Sequence, residues 1–78
     1  MLTVHVRAHG NLRRYFPGGH EEADFRLPEG SRVADLLAHI GLPDGEVWMV
    51  GVNDVLAQAE QALADGDKVD VFAPVAGG

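Results

Sequence analysis

The sequence contains no cysteine, which excludes a disulfide framework, a thiolate zinc site, an iron–sulfur centre and a thiol nucleophile. It also lacks a long apolar stretch, because the longest, residues 47–52, is far shorter than the roughly 20 residues that span a bilayer. Basic residues are scarce: the net charge is −6, whereas a nucleic-acid binder needs a cationic surface. These absences predict a cytoplasmic protein that contacts neither membrane nor nucleic acid.

The short chain limits how large a core the protein can build. A domain of 78 residues buries about 60% of the surface that its unfolded chain exposes, which leaves no volume for a deep pocket. We therefore do not expect a self-contained enzyme. Residues 1–39 carry five arginines and five acidic residues, whereas residues 40–78 carry one lysine and seven acidic residues. The acidic half either serves solubility or faces a basic partner, and both interpretations stay open.

Alternating apolar residues predict three strands, over residues 2–8, 23–27 and 69–73. Residues 47–52 predict a fourth strand that is apolar on both faces and hence lies inside the sheet. A brief further pairing is expected at residues 55–56. Residues 11–16 fit about a turn of helix, the nature of residues 59–63 stays ambiguous, and Asp65-Gly66-Asp67 predicts a turn.

One helix is predicted by four apolar residues at helical spacing, Val33, Leu36, Leu37 and Ile40. Ser31 is the expected N-cap, and Gly41 is expected to end the helix. The element order indicates a two-layer α+β domain with one helix over one face of a sheet. A helix about 15 Å long cannot cover both faces, so the other face must meet solvent or a partner.

The chain closes on Pro74-Val75-Ala76-Gly77-Gly78, and two terminal glycines cannot help to close a core. Either this end is frayed, or it threads a narrow channel of another protein and presents its carboxylate to an active site. Phe72 shares a strand face with Lys68 and Asp70, which places the aromatic ring outside, where it can anchor a partner. The alternative is that a bulge turns Phe72 into a minor core.

Several segments resemble the ubiquitin-like sulfur carriers, and most of all the small subunits of molybdopterin synthase: residues 28–37, 50–53, 63–69 and 72–78. The resemblance spans nearly the whole chain, and a longer segment at residues 13–17 favours the molybdopterin branch. The sequence departs from the family twice. Ala73 replaces the first of two prolines that often precede the tail, and Asn53-Asp54 stands where many members have Asn-Gly.

The resemblance implies a β-grasp fold, with a mixed sheet of four to five strands in residues 1–73 and a flexible tail in residues 74–78. It implies that an enzyme related to the ubiquitin-activating enzymes joins Gly78 to AMP, using ATP and magnesium, and that a cysteine desulfurase or rhodanese supplies sulfur. The product would be a C-terminal thiocarboxylate. By the family's pattern Gly78 reacts, Phe72 docks, and the residues between them thread the channel: Pro74, Val75, Ala76 and Gly77.

The same resemblance implies that the thiocarboxylate donates sulfur to a pterin precursor inside the large subunit of molybdopterin synthase, in a heterotetramer. The chain would then be a carrier subunit, not catalytic by itself and binding no cofactor or metal. The alternatives are a carrier for thiamine thiazole synthesis or tRNA thiolation, a ubiquitin-like modifier joined to target lysines, and an interaction module with inert glycines.

Four histidines and one tryptophan receive no role from the sequence. His5 and His9 share a strand face, and His20 and His39 lie elsewhere, but no third ligand is spaced to suit zinc. Asp65 and Asp67 fit turn chemistry better than an acid–base pair. Trp48 belongs either to the core or to an interface, and the sequence does not decide between them.

Overall fold

The computed structural model describes residues 1–74, which form a five-stranded sheet and one α-helix. The elements are β1 (Leu2–His9), β2 (Glu22–Leu27), α1 (Val33–Ile40), β3 (Met49–Val52), β4 (Val55–Ala57) and β5 (Lys68–Phe72). Three short 3₁₀ turns lie in the connections, at Gly10–Tyr15, Pro17–Gly19 and Asp44–Glu46. The predicted α+β class, with one main helix, is confirmed.

The strand order across the sheet is β2-β1-β5-β3-β4. β1 and β5 run parallel and all other neighbours run antiparallel, so the sheet is mixed, as the family resemblance implied. β3 lies between β5 and β4, which confirms that it is not an edge strand. The brief pairing predicted at residues 55–56 is the edge strand β4. Residues 59–63 form no helix, and Ala62 makes an isolated bridge with Arg32 instead.

The predicted fourth strand starts two residues too early. β3 begins at Met49, after the Asp44–Glu46 turn. The backbone N–H of Trp48 still donates to the carbonyl of Phe72, with 2.7 Å between nitrogen and oxygen. The Trp48 side chain is 61% exposed, so the core interpretation of this residue is wrong.

The core lies between the sheet and α1, because strand alternation and the helical stripe direct apolar side chains to the same layer. Leu12 and Phe16, from the turn after β1, close one end of it. Fully buried members are Leu2, Val4, Val6, Leu12, Leu27, Val33, Leu36, Val69 and Val71. Within residues 1–74, no helix has the length and apolar character needed to cross a membrane.

The helix is capped differently from the prediction. Ser31 is buried, and its hydroxyl donates to the Pro28 carbonyl at 2.8 Å, so it does not cap the helix. The Asp35 carboxylate instead accepts from the backbone N–H of Arg32 at 2.8 Å, which satisfies one of the free donors at the helix start. Gly41 ends the helix with φ of 88°, as predicted.

The Asp65-Gly66-Asp67 turn joins three parts of the sheet. The Asp67 carboxylate accepts from the backbone N–H of Ala64 at 2.8 Å and from the side-chain amide of Asn53 at 3.0 Å. The Asp65 carboxylate accepts from the backbone N–H of Thr3 at 2.7 Å. Both carboxylates therefore serve the turn, as the sequence indicated, and hold the start of β5 against β1 and β3.

The β3–β4 hairpin accommodates one of the departures from the family pattern, the Asn53-Asp54 pair. Asn53 and Asp54 have φ of 52° and 69°, the positive values that both central residues of a type I′ turn require. Aspartate tolerates this region less well than glycine does.

We expect Asp54→Gly to raise the free energy of unfolding by about 0.5 kcal/mol, because relief of the left-handed strain exceeds the added chain entropy of glycine. Urea denaturation measures this change. Gly66→Ala is the comparison: Gly66 has φ of 86°, so adding a side chain there should destabilise the protein, just as removing one at Asp54 should stabilise it. A loss of stability in Asp54→Gly would contradict the strain argument.

Candidate functional site

The sheet face opposite α1 is uncovered in the structure, and we call it the open face. Strand alternation directs the side chains of Lys68, Asp70 and Phe72 onto it, while Val69 and Val71 point into the core. The β1–β2 half of the open face is charged. The half formed by β3, β4 and the end of β5 is mostly apolar and carries Met49, Gly51, Leu56 and Phe72.

The charged half is organised around His5. Its two ring nitrogens lie 2.7 Å from Glu22 Oε1 and 2.7 Å from Asp24 Oδ1, and Arg7 pairs with Glu22 at 3.2 Å. These bonds raise the pKa of His5, and the bond to Glu22 contributes more than the bond to Asp24. The bond to His5 in turn lowers the pKa of Glu22. The His5 contribution to stability is therefore present below its ordinary pKa near 6.5 and is lost as pH rises through the raised pKa. The groups are largely exposed, so this contribution is small.

Within residues 1–74, no three histidine, aspartate or glutamate side chains are grouped so as to hold a metal ion. His9 lies on the open face with His5 but makes separate contacts. His20 and His39 lie outside β1, and the ring of His39 meets that of Phe25 edge-on, with centroids 6.0 Å apart.

Phe72 lies half-buried on the open face, where the alternation predicted it. β5 keeps a regular register with β1 and β3, so the alternative of a bulge that turns Phe72 into the core is wrong. The His9 ring stacks on the Phe72 ring, with centroids 4.4 Å apart and planes 11° apart. His9 Nε2 lies 2.9 Å from Asp70 Oδ1, which orients the histidine against the aromatic ring. The docking role of Phe72 stays a prediction.

The segment that follows Phe72 lies beside an exposed aromatic residue. A shallow hollow of about 410 Å³ lies at the place where the chain leaves the sheet, and its lining includes His9, Trp48, Phe72 and Pro74. A Cβ on Gly10 would come within 3.3 Å of the Ala73 side chain, so this glycine lets the exit pass close to the end of β1. No pattern in the sequence indicated that Trp48 belongs to this region, because its neighbours along the chain are apolar on both sides.

A second hollow, of about 400 Å³, lies on the other side of Phe72 and above Gly51. We call it the Gly51 groove; its lining residues are Met49, Val50, Gly51, Asp54, Val55, Leu56, Asp70 and Phe72. Val55 and Leu56 are 65% and 64% exposed. Exposed apolar groups that adjoin one another typically mark an interaction site. Of the residues that line this groove, the sequence analysis named only Phe72 as a candidate site residue.

Of the other predicted site residues, the structure describes only Pro74. Pro74 is exposed and is the last residue that the structure describes. The structure does not describe Val75, Ala76, Gly77 and Gly78. The threading of the tail and the reaction of Gly78 therefore stay predictions. The division between a domain at residues 1–73 and a tail at residues 74–78 also stays a prediction.

In the comparison with protein families, the model of the ThiS family matches residues 10–78. The comparison with curated proteins finds no match. Among solved structures, the chain is similar to a putative molybdopterin converting factor subunit 1 from Pyrococcus furiosus, with 30% identity and a TM-score of 0.77, over 96% of this chain and 100% of the other.

Two further structures share the fold. A complex of subunits 1 and 2 of the molybdopterin-converting factor from Helicobacter pylori contains a chain 25% identical to this one, with a TM-score of 0.63 and coverage of 99% of this chain and 100% of that one. Small archaeal modifier protein 1 of H. volcanii is 19% identical, with a TM-score of 0.77 and coverage of 96% and 100%. At that identity the likeness concerns the ubiquitin-like β-grasp fold alone.

Proposed function

The chain belongs to the ThiS family, and on that premise we propose that it is a sulfur carrier whose C-terminal Gly78 becomes a thiocarboxylate and donates sulfur in molybdopterin synthesis. The observation that carries the proposal is the family match over residues 10–78, which includes the closing Gly77-Gly78. The similarity to subunit 1 of molybdopterin converting factors supports the choice of pathway.

The chemistry needs little from the side chains of this protein. A carboxylate is a poor electrophile, so an oxygen of the Gly78 carboxylate attacks the α-phosphorus of ATP, releasing pyrophosphate and forming an acyl adenylate on the activating enzyme. The terminal sulfur of a donor persulfide then attacks the acyl carbon, so a C–S bond forms and AMP leaves. A second thiol of the partner attacks the inner sulfur and cleaves the S–S bond that came from the persulfide, which leaves the thiocarboxylate on Gly78 and a disulfide on the partner.

The catalytic groups would therefore lie in the partners. A ubiquitin-activating-like enzyme would supply ATP and magnesium, and a cysteine desulfurase or rhodanese would supply the persulfide. The neighbour from H. pylori is described as a complex of subunits 1 and 2, which supports a large-subunit partner for this chain as well. This chain would contribute the reacting carboxyl group and a docking surface.

The open face is the surface that we assign to docking. Phe72 and Trp48 flank the place where the chain leaves the sheet, so a partner that grips them would also receive the tail. Aromatic residues of this kind are frequent anchors of protein interfaces. The acidic second half of the chain would speed the encounter with a basic partner, and that acceleration should fade as salt rises.

Intact-mass spectrometry tests the proposal directly. The protein is incubated with the activating enzyme, ATP, magnesium and the sulfur donor, and the expected product is heavier by the replacement of one oxygen by one sulfur. Adding the large synthase subunit and a pterin precursor should return the mass to its starting value. Adducts on lysines of other proteins would indicate a protein modifier instead, and an unchanged mass would indicate an interaction module.

A further inference from the structure

Gly51 is a glycine that the fold does not need. Its φ is not positive, unlike that of six other glycines in residues 1–74, so glycine is not required for the backbone conformation. A Cβ at this position would meet only the Val55 carbonyl oxygen, at an ordinary 3.8 Å, so packing does not require it either. Glycine inside a strand costs about 0.5–1 kcal/mol relative to alanine and often marks the close approach of another molecule.

Because Gly51 has no side chain, the side chains of its neighbours on the open face enclose a groove above it. In the strand register Gly51 stands between Asp70 of β5 and Leu56 of β4, while Met49 and Phe72 pair next to it. The floor is thus bare backbone, and the apolar walls are Met49, Leu56 and Phe72. Such an apolar floor and walls suit the aliphatic stem of a long partner side chain.

The only charged residues that line the groove are two carboxylates, those of Asp54 and Asp70. Both also line the adjacent polar hollow, so they stand on the border between the apolar and charged halves of the open face. Asp70 contacts His9 through one oxygen. Among residues 1–74, Asp54 has no basic group within 4.0 Å of its carboxylate.

We propose that the Gly51 groove receives a basic side chain of the docking partner, whose aliphatic stem lies over Gly51 and whose cationic end meets Asp54 and Asp70. Arginine and lysine combine these two features, because their stems pack on apolar surface while the charged end stays at its edge. The acidic character of residues 40–78 complements such a partner. The inference rests on the proposed function in one respect, namely that a partner docks on the open face.

Two variants test the two parts of the groove separately. Asp54→Asn removes a charge at constant shape, and Gly51→Val fills the floor at a position where an added Cβ makes only an ordinary contact with the backbone. Asp24→Asn is the matched control, because it removes the same charge from the same face outside the groove. The measurement is the apparent KM of the carrier in pyrophosphate release by the activating enzyme, together with the Kd for the large subunit.

We expect Asp54→Asn to weaken at least one of these two associations by about fivefold to tenfold, in line with the loss of a hydrogen bond to a charged group at a partly wet site. Gly51→Val should weaken the same association without lowering the thermal midpoint, since it replaces a strand glycine by a β-branched residue. The double variant should lose less than the product of the two losses, since one occupant is displaced by both. Raising the salt concentration should shrink the Asp54→Asn effect but not the Gly51→Val effect.

The other outcomes overturn the inference. If Gly51→Val weakens docking and Asp54→Asn matches Asp24→Asn, the occupant is apolar; if neither variant matters for either partner, the groove is not used. If the wild-type protein is neither adenylated nor bound by the large subunit, the proposed function fails. The groove is then tested by NMR titration of the full chain with the tripeptide Gly-Arg-Gly, where amide shifts at Gly51 that its citrulline counterpart does not cause support the inference and equal shifts refute it.

Discussion

Deletion of Gly78 is expected to lower the rate of adenylation by about 10³-fold or more while moving the thermal midpoint by less than about 2 °C. The deletion leaves a carboxylate on Gly77, but this group ends about 3.4 Å short of the position that the activating enzyme reads. Misplacement of a reacting atom by a single ångström already costs on the order of a hundredfold. Pyrophosphate release and a thermal melt, run on the same sample, measure both quantities.

The matched control adds one alanine after Gly78, which keeps every native residue but moves the carboxylate outward. It should be equally inactive and equally stable, because position rather than composition of the terminus decides the reaction. Retained activity in either variant would contradict the assignment of Gly78 as the reacting residue. A large loss of thermal stability on deletion would contradict the prediction that the tail stands apart from the domain.

Leu36→Ala is expected to destabilise the protein by about 2–5 kcal/mol, a large part of the roughly 4–12 kcal/mol available to a chain of this length. Leu36 is fully buried between α1 and the sheet. The helix is short, so it has little stability of its own and depends on this contact. Urea denaturation monitored by the fluorescence of Trp48 gives the change in free energy.

Leu37→Ala supplies the comparison, since it makes the same change one residue along the same helix at a half-buried site. Its cost should be less than half that of Leu36→Ala. Equal costs would mean that helix propensity rather than core packing dominates at these positions. Because the Gly51 groove and the chain exit lie on the opposite face of the sheet, the folded fraction of Leu36→Ala should keep its partner affinity.

The parts of the fold that the sequence predicted are those that follow from local periodicity. Alternation in residues 2–8 and 69–73 placed two strands and the outward direction of Phe72, and the spacing of Val33, Leu36 and Leu37 placed the helix. These patterns report which face of an element is buried, and that information is carried by neighbours along the chain.

The exposure of Trp48, the N-terminal end of the helix and the Gly51 groove could not be predicted in the same way. Each depends on contacts between residues far apart in sequence. Ser31 has the composition of an N-cap, but its burial against Pro28 gives its hydroxyl another acceptor. The groove requires the register of β3 with both β4 and β5, which no single segment contains.

The chemistry assigned to Gly78 came from resemblance and not from side-chain geometry. A terminal carboxylate has no distinguishing partner within its own chain, so physical reasoning could show only that the last residues do not help to build a core. The match to the ThiS family is the observation that supports the proposal for Gly78.

The parallel pairing of β1 with β5 has a mechanical consequence. The two strands lie side by side at the centre of the sheet, and Met1 and Pro74 leave it at opposite ends. A force that pulls these two ends apart therefore slides one strand along the other and strains all of their hydrogen bonds together, instead of opening them one after another. A partner that pulled on the exit of the chain while the start of β1 was held would load all of these hydrogen bonds at once, so we expect the domain to resist extension in this direction.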